Sequence, residues 1–321
     1  MLRYNYMDIE KKIMKNVDLA SLSTFKIGGP AEFYLEAQDG KDIKAAFDWA
    51  HFYNYKITVL GGGSNILIND EGIKDLVLRL IKDNFNLKDN KVICGGAVSL
   101  NKIARTTARE GLSGLEWGVG IPRAQIAGAI VGNAGAFGFK ISDILEEAEV
   151  FDLVEGNWKK FKNKDCQFGY RTSVFKEHKR YIISNAVLVF KKEDSKKVGE
   201  KMEKIFEFRK DNQLDHPSAG SIFKNIDWEY LQERSPKLAK RAEMEKIVKN
   251  NWVSAGWIIE QMGLKGKTMG GAQISLEHGN FIINKKNATA LDVIGLISYV
   301  KQQVRNEFNI QMQEEIEYLG F

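Results

Sequence analysis

Residues 60–72 read Leu-Gly-Gly-Gly-Ser-Asn-Ile-Leu-Ile-Asn-Asp-Glu-Gly. The β-branched stretch Ile57–Leu60 predicts a short strand that feeds directly into Gly61, Gly62, Gly63, Ser64 and Asn65. Consecutive glycines permit positive φ and let backbone amides come close to a ligand. Amides exposed in this way favour anions such as phosphate. A second glycine concentration carries the same message: eight fall between Gly111 and Gly138, at 111, 114, 118, 120, 128, 132, 135 and 138. One isolated Gly-Gly reads as a turn. A triple glycine followed by this second cluster predicts loops that cradle a ligand.

Outward from these loops, the periodicities alternate between strand and helix. Asp42–His51 reads as a helix with Ile43, Ala46, Phe47 and Ala50 on one face. Leu76–Leu80, Val92–Cys94, Glu149–Leu153 and Ile182–Phe190 read as strands, and Ser99–Glu110 as a helix. Asp194–Asn212 reads as a charged helix whose apolar stripe is Val198, Met202, Ile205 and Phe208. Thr289 and Asp292 form a variant capping box ahead of a helix carrying Leu291, Ile294, Ile297, Val300, Val304 and Phe308. A last strand is expected from Ile310 to Leu319, with Ile310, Met312, Ile316 and Tyr318 on one face and Glu315 on the polar one. Interleaved helices and strands of this kind make the class α+β or α/β. The lysine-rich stretch 191–197 marks the best domain boundary.

Composition bounds the function. The chain has 321 residues, enough for two domains or three small ones, and 44% of them are hydrophobic, enough for a sizeable core. A net charge of +5 helps anionic ligands approach but is far from a nucleic-acid binder's charge stripe. The polar start, residues 1–12, has no apolar signal core, and no 18-residue apolar run occurs, so a cytoplasmic protein without membrane insertion is expected. Cys94 and Cys166 form no local pair, and the four histidines show no i, i+4 spacing, so no metal site is expected. Gly263–Thr268 resembles the tail of a phosphate-binding loop but has Gln261 where the first glycine belongs. Gly118-x-Gly120 fails as a dinucleotide fingerprint at Arg123, and Gly61-x-Gly63 fails at Ile66.

The ordered motifs together resemble the UDP-N-acetylenolpyruvoylglucosamine reductase (UDP-N-acetylmuramate dehydrogenase) family of flavoenzymes. The resemblance runs through Thr24–Ala31, the 60–72 stretch, Gly111–Trp117, Gly120–Pro122 and Asn133–Gly138. It continues through Phe168–Phe175, Pro217–Asn225, Ala255–Glu260, Gly263–Gly266, Gly270–Ala272, His278, Phe281–Asn284 and Glu315–Gly320. Only 50 positions separate Arg171 from Ser221, as in the shorter subgroup without the substrate-clamping tyrosine loop.

The resemblance implies an α+β fold with an FAD-binding domain of the vanillyl-alcohol-oxidase type in two subdomains, 1–73 and 74–191. It also implies a C-terminal α+β substrate domain, 192–321. The implied reaction is NADPH-dependent, FAD-mediated reduction of an enolpyruvyl UDP-sugar in peptidoglycan precursor synthesis, by a monomer. Arg171 would hold the substrate carboxylate, Glu315 the developing enol oxygen, and Ser221 would deliver the proton. Gly61, Gly62, Gly63, Ser64, Asn65, Gly120, Ile121, Asn133, Gly135, Ala136 and Gly138 would line the flavin. Lys224 and Asn225 would assist at the substrate, and Arg209 would meet its diphosphate. Taken one residue at a time, each site has a plainer reading: Arg171 a surface charge on a loop, Ser221 a helix N-cap, Glu315 an exposed strand residue.

Two departures stand out. Arg123 and Ala127 replace glycines of the family's central loop, so that Arg123 either adds a charged contact to the flavin or crowds it. Residues 226–253 are longer than the family's usual link and read as a surface helical hairpin with Trp228, Leu231, Leu238, Met244 and Ile247 at helical spacing, or as a partner-binding or lid element. The rival functions are an FAD-dependent oxidase on the same cradle and a flavin-binding module without turnover.

Overall fold

The structure, a computed structural model, describes residues 7–212 and 214–321. Of the polar N-terminal stretch, residues 1–6 therefore lie outside the described residues. No helix among the described residues is long and apolar enough to cross a membrane. The chain packs into two compact units, each drawn from separated segments.

Of the described residues, the first unit takes 7–17, 31–62 and 73–212. One of its sheets sets the strands Met14–Asp18, Pro30–Ala37, Ile73–Leu80 and Ile57–Leu60 in that order, with the last three parallel. The helix Gly40–Tyr53 covers this sheet. Asp39 caps its start by accepting from the amides of Lys41 and Asp42, and Asn54 ends it in the left-handed region. Ile43, Ala46 and Ala50 are buried as their spacing predicts, with Leu35, Leu76 and Leu78 beneath them. Parallel strands buried on both faces explain the unbroken apolar run Leu76–Leu78.

A second, antiparallel sheet orders the strands Asn157–Lys162, Leu145–Asp152, Tyr181–Val189, Lys91–Gly95 and Phe85–Lys88. The helix Leu100–Arg109 and the short helix Ile126–Val131 fill its core through Leu100, Ile103, Ile126 and Ile130. The expected segment 192–321 divides differently in the packing. The helix Ser195–Asp211 at its start belongs to this first unit, because Val198, Met202 and Ile205 seal onto Ala108 and Val119. Phe208, expected in that stripe, is 57% exposed, because the buried face ends at Ile205.

The second unit takes residues 18–30, 63–72 and 214–321. Its sheet orders Ser218–Ser221, Phe281–Asn284, Ala272–Ile274 and Thr268–Met269, all antiparallel. The helix Ala290–Phe308 begins with the expected capping box, in which Thr289 and Asp292 satisfy each other's amides. Val293, Leu296, Ile297, Val300 and Val304 are buried, but Leu291 is 73% exposed and lies off that face.

The hairpin at 226–253 is built into the core. Its helices Trp228–Arg234 and Pro236–Met244 are clasped at the base by Ile226–Asp227 pairing with Trp252–Val253. Leu231, Leu238, Ala239 and Ala242 are buried in the same cluster as Ile258 and Val300. Met244, at the helix end, is 74% exposed and does not share in this packing.

The expected ten-residue C-terminal strand is only Glu317–Leu319, pairing in parallel with Ile66–Ile68. The preceding residues run extended but pair elsewhere. The amide of Lys224 donates to Gln313 at 2.9 Å and that of Glu315 to Ile222 at 2.7 Å. Two partners in succession satisfy the backbone, so one continuous ladder is not needed.

Candidate active site

In the first unit, three hydrogen bonds tie the glycine-rich 131–138 segment to the loop that carries Arg171. Asn133 Nδ2 donates to the carbonyl of Gly169 at 2.8 Å, Arg171 Nη2 to that of Gly135 at 3.0 Å, and Ser173 Oγ to that of Val131 at 2.7 Å. Asn133 and Arg171 both adopt positive φ, 42° and 55°. Backbone held in this region by several independent bonds is typical of sites whose geometry is fixed in advance. Gly135 and Ala136 form a two-residue hairpin with Phe139 and Lys140. At Gly138, with φ of 84°, a Cβ would meet nothing within 4 Å, which leaves room beside the backbone.

Gly120 and Ile121 follow a turn held from below. Buried Glu116 accepts from Ser113 Oγ at 2.8 Å, the Gly114 amide at 2.6 Å and Lys201 Nζ at 3.0 Å. Burial opposes its ionisation, but these donors outweigh it and hold the carboxyl below its usual range. Arg209 commits Nη1 to the carbonyls of Trp117 and Val119, and its guanidinium lies 5.7 Å from the Phe137 ring centroid. Burial lowers its pKa to about 10, so it stays charged. The residue expected at a diphosphate thus clasps the turn after Trp117.

A cavity of about 280 Å³ opens in this unit, lined by Gly62, Arg79, Ser99, Arg123, Ala124 and Gln125 among others. Gly62 must be glycine, because a Cβ there would sit 1.7 Å from the Arg123 carbonyl oxygen. Gly61 is more open, its nearest neighbour being Gln125 Oε1 at 3.6 Å. The cavity carries two guanidinium groups, and the Nε of Arg79 is buried without a hydrogen-bond partner. Arg79 is ion-paired with Glu36 at 3.6 Å, but its buried Nε still lacks an acceptor, which a diphosphate oxygen of a flavin dinucleotide would supply. Sequence reasoning passed over Arg79. The available signal was a cation between Leu78 and Leu80 at the end of the apolar run 76–78.

In the second unit, Ser221 ends the strand Ser218–Ser221, which excludes the helix N-cap reading. A bulge between Ser218 and Ser221, with Gly220 at φ of 80°, turns the chain there. The following residues pair with the C-terminal chain, so Ser221 and Glu315 lie on adjacent backbone stretches. Asn65 braces the same stretch: its Nδ2 donates to the Glu315 carbonyl at 3.1 Å, and its own carbonyl accepts from the Glu317 amide at 2.9 Å. Asn280, which the sequence did not single out, grips Phe223 at both ends. Its Oδ1 accepts from the Phe223 amide at 2.9 Å and its Nδ2 donates to the Phe223 carbonyl at 2.8 Å. Asn225 accepts from the Ala255 amide at 3.2 Å, anchoring the helix Ala255–Gln261. Ser64 sits beside Asn65 in the loop that precedes Ile66–Ile68.

Among the described residues no group of three His, Cys, Asp or Glu could hold a metal ion. Cys94 and Cys166 are both free and buried, and burial raises each thiol to about 12.

Two family models match. One, described as an FAD binding domain, covers residues 31–162. The other, the C-terminal domain of UDP-N-acetylenolpyruvoylglucosamine reductase, covers residues 212–319. Proteins of that name from Bacillus pumilus and Bacillus subtilis are each 36% identical, the alignment covering 96% of this chain and 94% of theirs. The crystal structure of the reductase from Thermus caldophilus superposes with a TM-score of 0.74 at 32% identity, over 96% of this chain and 99% of that one. The expected α+β fold with a flavin-binding domain therefore stands. With identity at this level over nearly the whole length, the chain belongs to the UDP-N-acetylenolpyruvoylglucosamine reductase family.

Proposed function

We propose that this protein uses NADPH and FAD to reduce UDP-N-acetylenolpyruvoylglucosamine to UDP-N-acetylmuramate, a step of peptidoglycan precursor synthesis. The observation that carries this reading is the backbone pairing that sets Ser221 beside Glu315 in a chain of this family. FAD, which residues of the first unit such as Gly62 and Arg79 would hold, would supply hydride transfer from NADPH to the enol ether.

The protein's own residues handle charge and the proton. Addition next to a carboxylate builds negative charge on that group, and a fixed cation stabilises it. Arg171 supplies a guanidinium fork matched to two carboxylate oxygens. Glu315, in its protonated form, donates to the developing enol oxygen. Ser221 Oγ gives its proton to the adjacent carbon, and Lys224, three residues on, is placed by sequence to polarise that hydroxyl. Asn225 fixes the turn beyond Ser221 through the Ala255 amide. The enzyme works in the cytoplasm as a monomer.

The test is product analysis. The purified protein with NADPH and the enolpyruvyl UDP-sugar should yield a UDP-sugar heavier by two hydrogens, with one NADPH consumed per product. Consumption of NADPH with hydrogen peroxide formed and the sugar unchanged would instead establish an oxidase.

A further inference from the structure

The strand Ser218–Ser221 leaves its sheet at the residue assigned to proton delivery: the last pair of its ladder sets Ser221 opposite Phe281. The next two residues are held from both sides. On one side, the Ile222 amide donates to the Asn280 carbonyl at 2.9 Å. The Asn280 side chain then accepts from the Phe223 amide and donates to the Phe223 carbonyl. On the other side, the Glu315 amide donates to the Ile222 carbonyl and the Lys224 amide to the Gln313 carbonyl. Asn280 makes three of these five bonds, so one residue secures the stretch between Ser221 and Lys224.

The residue type suits the task. A carboxamide offers an acceptor and a donor together, so it can satisfy the amide and the carbonyl of a single residue. Asn280 is 4% exposed, and Ile222 and Phe223 are fully buried, so water cannot readily replace these bonds. Asn280 is itself seated by the turn before it. Its amide donates to Nδ1 of His278 at 3.1 Å, while the His278 amide donates to Ser275 Oγ at 3.3 Å. The His278 carbonyl accepts from the Phe281 amide at 3.1 Å, which joins this turn to the strand opposite Ser221.

We infer that Asn280 is a positioning residue for the proton transfer, fixing the backbone between Ser221 and Lys224 and so the place of the Ser221 hydroxyl relative to Glu315. The inference rests on the reading that Ser221 delivers the proton. A reacting group displaced by about 1 Å loses about a hundredfold in rate, so a bond network that touches no substrate still governs the chemistry.

The test is anaerobic stopped-flow measurement of both half-reactions of the holoenzyme. Asn280→Ala should leave bleaching of the flavin by NADPH at the parent rate and slow its reoxidation by the enolpyruvyl UDP-sugar about tenfold to a hundredfold. In the Ser221→Ala background the same change should cost less than about twofold, because the hydroxyl it positions is gone. Asn280→Asp keeps the shape and the acceptor for the Phe223 amide but removes the donor to its carbonyl. It should show the same one-sided loss, and it carries the test if Asn280→Ala does not fold. Equal slowing of both half-reactions, an unchanged reoxidation rate, or the same factor in both backgrounds would overturn the inference. Reoxidation of Ser221→Ala at the parent rate would overturn the reading on which the inference rests, whatever the Asn280 variants do.

Discussion

The amide of Glu315 donates to the carbonyl of Ile222 at 2.7 Å, which binds the C-terminal chain to the residue after Ser221. Two groups assigned to proton handling are thereby fixed by one short backbone contact, across 94 positions of sequence. Ser221→Ala should therefore leave reduction of the flavin by NADPH unchanged and slow its reoxidation by the enolpyruvyl sugar. A factor of about 10² to 10⁴ is expected for loss of a positioned acid. Stopped-flow measurement of each half-reaction separately checks this, and equal slowing of both would argue against the role.

Arg171 should behave as a fork and not merely as a charge. Arg171→Lys keeps the charge but cannot bond two carboxylate oxygens in one plane. It should recover only part of the catalytic loss seen in Arg171→Ala. Because Arg171 also donates to Gly135, both variants should loosen the 133–138 segment, seen as faster amide exchange there. Full recovery by lysine would contradict the assignment.

Asp152 makes an acid-sensitive stability term. Its side chain is fully buried, accepts from Arg180, and lies 2.9 Å from Lys159 Nζ. Burial opposes ionisation, but these cations and the amides of Val154 and Glu155 hold its carboxyl well below the usual carboxylate range. The stabilisation is complete above the unfolded value near 3.8 and is lost as pH falls below it toward the folded value. Asp152→Asn should cost about 3 to 5 kcal/mol at neutral pH, as for breaking a buried pair. It should also flatten the decline in stability on acidification. Urea denaturation from pH 7 down to about pH 2 checks both.

The hairpin at 226–253 should be structural. Leu231 is fully buried against the core of the second unit, so Leu231→Ala should cost about 2 to 5 kcal/mol. Met244→Ala, at 74% exposure, should change stability by less than about 0.5 kcal/mol. Comparable losses from both would show that Met244 packs in solution.

Much of this was legible in the sequence, because short-range rules govern it. The strand Ile57–Leu60 lies where its β-branched residues placed it, and the helix Gly40–Tyr53 buries the predicted Ile43, Ala46 and Ala50. The Thr289–Asp292 cap is also as read. The failures come from long-range packing. Phe208 and Leu291 have helical spacing with their neighbours, but the partner surface ends before it reaches them. The strand 310–319 breaks because residues 222–224 and 66–68 take its hydrogen bonds in turn. At the site, residue types were readable and partners were not. Nothing in the sequence links Asn65 to Glu315, 250 positions away, or Asn280 to Phe223. Arg79 was hidden because one cation within 76–80 gives no spacing pattern.

The most direct measurement is an anaerobic absorbance titration of the purified holoprotein with NADPH, followed by the enolpyruvyl UDP-sugar. The flavin band should bleach with NADPH and return, in the absence of air, in proportion to the sugar added. A band that bleaches but returns only when oxygen is admitted would contradict the assignment.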